Sequence, residues 1–311
     1  MRIVIALGGN ALLRRGEALS AENQRANVKI AAAALAPLAL EHQLVITHGN
    51  GPQVGLLALQ DSAYREGVHY PLDILDAESE GMIGYLVEQE LKNLLPADHR
   101  CATLLTQTEV DARDRAFQNP TKPIGPVYDR AEAQRISAQR GWRIAPDGKS
   151  FRRVVPSPRP QRILEMGVIE LLVDQQVIVI CAGGGGIPVV RRDDGQIVGV
   201  EAVIDKDSAS SLLARELRAD ALIMLTDVEA VYQGWGEEGA RALRRISAQA
   251  IRQFAFAPGS MAPKVEAACE FVEHAGGIAG IGRLKDASAI FSGEAGTLIT
   301  RDATDTLWWD S

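Results

Sequence analysis

Three glycine-rich segments of the chain each follow a short apolar run with the composition of a β-strand. The segments are Gly8-Gly9-Asn10, Gly49-Asn50-Gly51 and Gly183-Gly184-Gly185-Gly186. Glycine lets backbone N–H groups close on an anion, because no side chain obstructs the approach. If the runs are parallel strands, their loops meet at the carboxyl edge of one sheet. Three such loops predict an enzyme that handles phosphate.

Three lysines lie near glycine, proline or aspartate, namely Lys122, Lys206 and Lys264. A single lysine is usually a solvated surface charge. Together with anion-binding loops the three form a coherent set, because phosphoryl transfer depends on positioning and on neutralising charge. His48 ends the second apolar run, and we interpret it as a residue that orients its loop rather than as a general base.

Composition and motif spacing disfavour several other functions. A net charge of -7 argues against a protein that binds the nucleic-acid backbone. The tetraglycine segment continues into Ile187-Pro188 without the spacing of a dinucleotide-binding loop, and no Gly-x-Ser-x-Gly elbow is present. The three cysteines are far apart, which indicates buried thiols in a reducing compartment.

The loops and lysines require an α/β framework to bring them together. Apolar runs alternate with segments of helical composition, which predicts a parallel sheet covered on both faces. The predicted strands are residues 3–7, 44–47, 102–106, 177–181, 221–226, 278–281 and 297–300. The predicted helices cover about 20–41, 76–94 and 206–218. Three further helices are predicted by one end only: two begin near 54 and near 260, and one ends at about 174.

Residues 111–160 interrupt this alternation with clustered prolines and frequent arginines. We predict an inserted subdomain, with Asp147-Gly148 as the turn of an antiparallel hairpin. The last residues, 301–311, have no clear pattern, although Trp308-Trp309 suggests a contact with the rest of the protein. No apolar stretch approaches a membrane span, so we expect a cytoplasmic protein that binds no membrane.

Six motifs carry a resemblance to a known family. They are Ala6-Leu7-Gly8-Gly9-Asn10-Ala11, Thr47-His48-Gly49-Asn50-Gly51-Pro52-Gln53-Val54-Gly55, Pro120-Thr121-Lys122-Pro123-Ile124-Gly125-Pro126, Arg152-Arg153-Val154-Val155-Pro156-Ser157-Pro158, Glu201-Ala202-Val203-Ile204-Asp205-Lys206-Asp207 and Gly259-Ser260-Met261-Ala262-Pro263-Lys264. In type and order they resemble the motifs of carbamate kinases, in the amino-acid kinase superfamily. The proline-flanked Lys122 and the Arg153 segment are what distinguish carbamate kinases from other acylphosphate-forming kinases.

The resemblance implies an open αβα sandwich with a largely parallel central sheet and a small protruding subdomain at about 111–160. It implies a carbamate-binding N-terminal lobe over 1–175, a nucleotide-binding C-terminal lobe over 176–311, and a homodimer. The implied reaction is reversible phosphoryl transfer between ATP and carbamate, giving ADP and carbamoyl phosphate, with Mg2+ bridging the phosphates. Within the family this reaction often runs toward ATP.

The resemblance also implies roles for individual residues. The implied catalytic residues are Lys122, Lys206 and Asp207. The implied substrate-binding residues are Gly8, Gly9, Asn10, Gly49, Asn50, Gly51 and Arg153. The implied nucleotide-binding residues are Lys264, Asp227, Tyr232, Met261, Gly183 and Gly184, and no metal ligand is implied because Mg2+ is expected through the phosphates.

Two alternatives stay open at this point. One is another acylphosphate-forming kinase that acts on an amino acid, for which we expect a catalytic lysine in the loop after the first strand. This chain has no lysine before Lys29. The other is a catalytically silent homologue that retains nucleotide binding, which the set Lys122, Lys206, Asp207 and Lys264 argues against.

Overall fold

A computed structural model describes residues 1–9, 12–14, 16–64, 69–257 and 259–310. The strands are β1 (Arg2–Leu7), β2 (Gln43–His48), β3 (Arg100–Thr103), β4 (Gln107–Val110), β5 (Lys122–Tyr128), β6 (Ile144–Asp147), β7 (Ser150–Val155), β8 (Pro160–Ile163), β9 (Val177–Ile180), β10 (Ile187–Arg191), β11 (Ile197–Gly199), β12 (Ala221–Thr226), β13 (Tyr232–Gln233), β14 (Arg241–Ser247), β15 (Ile278–Arg283), β16 (Thr297–Thr300) and β17 (Leu307–Trp308). The α-helices are α1 (Ala21–Glu41), α2 (Gly51–Tyr64), α3 (Leu72–Lys92), α4 (Arg130–Arg140), α5 (Met166–Asp174), α6 (Lys206–Glu216), α7 (Ala248–Ile251), α8 (Met261–Ala275) and α9 (Ala287–Ser292).

A large, mostly parallel sheet forms the centre of the protein. Its strand order is β13-β14-β16-β15-β12-β1-β2-β9-β3, and β17 pairs with β14. The six strands from β15 to β3 are mutually parallel, whereas β16 runs antiparallel to β15. The predicted α/β class with a largely parallel central sheet is therefore confirmed.

Helices cover both faces of this sheet, as the alternation along β1 shows. Val4 and Ala6 belong to one buried cluster, which includes residues of α6 and α8. Ile3 and Ile5 belong to the other cluster, with residues of α1 and α3. Successive strand residues point to opposite faces, so a strand buried on both sides must be apolar throughout.

Local signals place most helix ends, and α1 shows one that was predicted. The Ser20 hydroxyl caps this helix by accepting a hydrogen bond from the Asn23 N–H at 3.2 Å. Two helices begin earlier than predicted: α2 begins at Gly51 rather than near Val54, and α3 begins at Leu72 after Pro71, four residues before the predicted start at Asp76. Pro71 takes the extended conformation of a cap, so the first turn forms on its carboxyl side.

The inserted segment forms a small antiparallel sheet of order β5-β7-β6, with α4 packed against it. Asp147 pairs with Ser150 across the predicted hairpin turn. The subdomain meets the main body where Gly125 approaches Gly55 of α2. A Cβ atom on Gly55 would lie 1.9 Å from the Gly125 Cα, so this backbone contact has no room for a side chain. A second small sheet, of order β11-β10-β4-β8, adjoins the subdomain.

The predicted boundary between lobes falls between α5 and β9, within one continuous sheet. β9 follows the boundary in sequence but pairs with β2 and β3, which precede it. The division into 1–175 and 176–311 stays a prediction.

The C-terminal tail is better ordered than its sequence suggested. β17 pairs with β14, and the Trp309 indole N–H donates to the Gly296 carbonyl at 2.8 Å. The Arg241 guanidinium lies 4.2 Å from the centre of the Trp308 ring.

None of the helices in the described ranges is long and apolar enough to cross a membrane.

Candidate active site

A cleft of about 920 Å³ opens at the carboxyl ends of the central strands. Gly8 follows β1, Gly49 follows β2 and Thr226 ends β12, and all three line the cleft. The subdomain supplies Lys122 from β5 to the same space. This is the edge at which open parallel sheets bind their ligands.

Asp205 organises one wall of the cleft. As the N-cap of α6, its Oδ1 accepts hydrogen bonds from the N–H groups of Asp207 and Ser208, at 3.0 and 3.1 Å. Its Oδ2 accepts from the Lys122 Nζ at 2.5 Å. Burial would raise the pKa of Asp205, but the charge of Lys122 together with the hydrogen bonds from Lys122 and the Ser208 N–H outweighs it, and the pKa is lowered. One carboxylate therefore joins the subdomain to the first turn of α6.

Asp207 holds the other two lysines. Its Oδ1 accepts from Lys206, and its Oδ2 accepts from the Lys264 Nζ at 2.9 Å. Burial would raise the pKa of Asp207, but the two ammonium groups hold it well below its usual range. Burial lowers the pKa of Lys206. At Lys264 burial also lowers the pKa, but the charge and hydrogen bond of Asp207, with the nearby carboxylates, outweigh it and raise the pKa.

These five side chains form what we term the lysine cluster: Lys122, Lys206, Lys264, Asp205 and Asp207. Three cations and two anions leave one unit of positive charge facing the cleft. The wall therefore suits a polyanion, because its ammonium groups can exchange carboxylate partners for phosphoryl oxygens without moving far.

A second group of polar side chains lies behind the glycine loops. Asp76, Ser79 and Glu80 lie on adjacent turns of α3, and each is at most 1% exposed. Asn50 donates from its amide Nδ2 to Asp76 Oδ1 at 2.8 Å and to Ser79 Oγ at 2.9 Å. Glu80 accepts from the Gly183 N–H at 2.8 Å and from the Thr106 N–H at 3.1 Å. We term Asp76, Ser79 and Glu80 the α3 polar face; it fixes two of the three loops.

His48 is fully buried beside these loops. Its Nδ1 lies 3.2 Å from the Gly49 carbonyl oxygen, and its Nε2 has no described hydrogen-bond partner. Burial lowers the pKa of His48 to about 4, so the ring is neutral at pH 7. This position agrees with a structural role in the loop.

Most sequence-predicted site residues line the one cleft. They are Gly8, Gly9, Gly49, Asn50, Gly51, Lys122, Gly184, Lys206, Asp207, Asp227, Tyr232, Met261 and Lys264. Asn10 lies outside the described residues. Gly183 lies behind the cleft wall, packed against His48 and Glu80. The roles assigned to these residues stay predictions.

Arg153 is not among the residues that line the cleft, whereas its neighbour Arg152 is. The Arg153 guanidinium lies 4.1 Å from the centre of the Trp142 ring. The Arg152 guanidinium donates to the Gly125 carbonyl from Nε and Nη2, at 3.0 and 2.7 Å. Adjacent residues of β7 point to opposite faces, so the register of this strand decides which arginine reaches the cleft.

The far end of the cleft is aromatic and apolar. Tyr232 and Trp235 pack edge to face with ring centres 4.9 Å apart, and Phe256 and Met261 line the same space. The Tyr232 hydroxyl donates to Glu229; burial, and then this carboxylate, raise the pKa of Tyr232 to about 12. An aromatic and apolar region in the same cleft as a cationic wall has the polarity of a nucleotide site.

Asp205 and the α3 polar face were missed as site residues in the sequence. Asp205 carried a usable signal, since an aspartate directly before a helix is a preferred N-cap. On α3, the polar residues share one buried face of the helix with the apolar residues Leu72, Leu75 and Ile83. A polar residue on such a stripe indicates a buried network, although the sequence does not show its partner.

The described residues include no group of three or more His, Cys, Asp or Glu side chains that could hold a metal ion.

Comparison with known proteins defines the class. The model of the Amino acid kinase family matches residues 1–281, and the chain belongs to this family. A carbamate kinase of Rhizobium meliloti is 56% identical over 310 residues, covering 99% of this chain and 96% of the relative. One of Haemophilus influenzae is 55% identical, covering 97% of each. Within the family, this chain groups with the carbamate kinases.

Solved structures agree with this placement. A carbamate kinase from Giardia lamblia bound to AMP-PNP superimposes with a TM-score of 0.87 at 43% identity, covering 97% of this chain and 98% of the other. The same enzyme bound to citric acid gives a TM-score of 0.91 with the same coverage.

Proposed function

We propose that this protein catalyses reversible transfer of a phosphoryl group between ATP and carbamate, giving ADP and carbamoyl phosphate. The observation that carries the proposal is the lysine cluster, which gathers three ammonium groups where the loops after β1 and β2 meet. The lysine cluster lines the same cleft as those loops and the aromatic residues. A phosphoryl group passing between two substrates needs its cations at that point.

The chemistry requires no general base. Carbamate already carries its nucleophilic oxygen as an anion. That oxygen attacks the γ-phosphorus, the bond from phosphorus to the β,γ-bridging oxygen breaks, and ADP leaves with the electron pair. The neutral, buried His48 is consistent with this scheme because no proton has to be removed.

The protein's task is then to bring two anions together and to stabilise charge as it spreads. Lys122 and Lys206 contact the transferring phosphoryl group, and Lys264 contacts the nucleotide phosphates. Asp207 is a positioning residue for two of these lysines. Gly8, Gly9, Gly49 and Gly51, with the side chain of Asn50, surround carbamate and the γ-phosphate. The N–H groups of Gly8 and Gly49 donate to the Leu225 and Leu7 carbonyls, so the backbone donors for substrate are those of Gly9 and Gly51.

The remaining parts of the proposal concern the nucleotide and the assembly. Tyr232 and Met261 contact the adenine base, Asp227 and Gly184 border the nucleotide, and Mg2+ enters with the phosphates. Lys122 lies on the subdomain, so movement about the Gly55–Gly125 contact would couple closure to catalysis. We also propose that the protein is a homodimer in the cytoplasm and that the reaction runs in the direction of ATP formation.

The test is ATP formation from ADP, Mg2+ and carbamoyl phosphate by the purified protein. We expect robust activity that is strongly reduced in Lys122→Ala. If ADP binds but no ATP forms, the carbamate assignment is wrong. ATP formation from a different acylphosphate alone would point to another acyl acceptor, and none from any acylphosphate would point to a silent homologue.

A further inference from the structure

The side chain of Asn50 is held in one orientation by the α3 polar face. Its Nδ2 carries two hydrogens; one goes to Asp76 Oδ1 and the other to Ser79 Oγ. The Ser79 hydroxyl gives its own hydrogen to the Asp76 carbonyl at 2.9 Å, so its oxygen is left to accept. Ser79 Oγ can therefore only accept, which assigns the amide nitrogen to its side, and Asp76 Oδ1 accepts from the same nitrogen.

Gly184 completes the restraint from another direction. A Cβ atom on Gly184 would lie 2.2 to 2.5 Å from Nδ2, Cγ and Oδ1 of Asn50, so the glycine packs directly against the amide group. With φ at +67°, this position also favours glycine. The amide can neither rotate nor exchange its two ends without breaking the buried contacts.

The consequence is that Asn50 offers the cleft only an acceptor. Asn50 lines the cleft, both hydrogens of its amide are taken, and no described residue donates to its Oδ1. A phosphoryl or carboxylate oxygen is itself an acceptor and gains nothing beside Oδ1. A substrate amino group is a donor and is the complementary partner.

We infer that Asp76 and Ser79 are positioning residues that make the site selective for an acyl group bearing an amino group, by turning Asn50 Oδ1 toward it. This inference rests on the proposed function. Such a site distinguishes carbamoyl phosphate from acetyl phosphate. The two compounds carry the same phosphate, but acetyl phosphate has a methyl group in place of the amino group. A site built to bond an N–H group rejects an analogue that lacks it, because its buried acceptor is left unpaired.

The state of Asp76 supports this role. Burial raises its pKa well above the usual range, and no cation lies among the groups that shift it. The raised pKa favours the neutral carboxyl, with its proton on Oδ2, which holds Asn50 without placing a negative charge beside two anionic substrates. Its Oδ2 has no hydrogen-bond partner among the described residues, which costs stability. A purely structural position gains more from an apolar side chain.

The experiment compares two phosphoryl donors, carbamoyl phosphate and acetyl phosphate, in ATP formation from ADP and Mg2+. Acetyl phosphate is also measured as a competitive inhibitor, so its affinity is known even where its turnover is small. For Asp76→Ala we expect kcat/KM for carbamoyl phosphate to fall about tenfold. The kcat/KM and inhibition constant for acetyl phosphate should change by less than about threefold. The ratio of kcat/KM for carbamoyl phosphate to that for acetyl phosphate therefore falls.

Two further variants separate positioning from folding. Asp76→Asn keeps an acceptor oxygen for the Asn50 amide and should restore most of the ratio. Ser79→Ala removes the second acceptor and should lower the ratio by about threefold, which decides the matter if Asp76→Ala does not fold.

Equal losses for both donors, or an unchanged ratio in a folded variant, would overturn the inference. Failure of the proposed function has a different signature, since the unaltered protein would then make no ATP from carbamoyl phosphate.

Discussion

Asp207, which lines the cleft, and Asp76, which lies behind its glycine loops, are two buried carboxyl groups with opposite charge preferences. They are 4% and 1% exposed, respectively. Burial raises the pKa of both, but two lysines reverse the shift at Asp207, whereas Asp76 faces an amide and nearby carboxylates. Burial alone does not decide whether a carboxyl group is ionised; the partners of each oxygen do.

The difference divides the work of the site between the lysine cluster, which lines the cleft, and the α3 polar face, which lies behind the glycine loops. The lysine cluster carries the charges, and its contacts are those expected to strengthen as the phosphoryl group transfers. The α3 polar face carries no cation and holds loops and an amide in place. Substitutions in the lysine cluster should therefore affect kcat most. Substitutions in the α3 polar face should affect selectivity and the pH dependence of stability.

The largest effect is expected from Lys206→Met, which removes the most deeply buried ammonium group of the lysine cluster. We expect kcat for ATP formation to fall by roughly 10³-fold, because a preorganised cation is lost from the transition state. ADP affinity, measured by calorimetry, confirms that the variant still binds nucleotide. A kcat within tenfold of the unaltered protein would remove Lys206 from the reaction centre.

Lys122→Ala should be nearly as damaging, with kcat falling by about 10²-fold and ADP affinity nearly unchanged. The reason is that Lys122 approaches from the subdomain and bonds Asp205, which does not bind the other lysines. Lys149→Ala is the matched control, since this exposed lysine lies in the hairpin of the same subdomain. Equal losses in kcat and ADP affinity would contradict a transition-state role.

Lys264→Ala should have a smaller effect of a different kind. We expect the KM for ADP to rise about tenfold with a lesser fall in kcat, because this ammonium contacts nucleotide phosphates in both ground and transition states. Asp207 keeps Lys206 as a partner in this variant. Exposed Lys285→Ala serves as the control. An unchanged KM would place Lys264 outside the nucleotide site.

The α3 polar face should be visible in the pH dependence of stability. Burial raises the pKa of Glu80 to about 8, from 4.5 in the unfolded chain, so the folded state retains a proton that the unfolded state has lost. Its contribution is fully present below about pH 4.5 and is lost as pH rises toward 8, by at most about 1.4 kcal/mol per pH unit.

Thermal unfolding of Glu80→Gln against the unaltered protein measures this contribution. The variant cannot titrate at this position, so its stability should fall less between pH 5 and 8. Parallel curves for the two proteins would mean that Glu80 is ionised in the fold, as Asp207 is.

Much of this protein could be read from short stretches of sequence. The apolar runs are long enough to specify buried strands, Ser20 specifies a helix start, and Asp147-Gly148 specifies a turn. The glycine loops and the segments around Lys122, Lys206 and Lys264 carried the family resemblance. Each of these signals depends on residues that are neighbours along the chain, so the sequence contains it directly.

Contacts between distant segments were decided only by the tertiary structure. The Lys122–Asp205 pair spans 83 residues, and the Asn50–Asp76 bond joins a loop to a helix whose start was misplaced. The choice between Arg152 and Arg153 depends on strand register, and the C-terminal tail is ordered by pairing with β14. Sequence patterning set which segments are buried and which loops can bind anions. The charge state of each buried carboxyl depends on partners that only folding brings within hydrogen-bond distance. The chemistry of the lysine cluster and of the α3 polar face therefore depends on those partners as well.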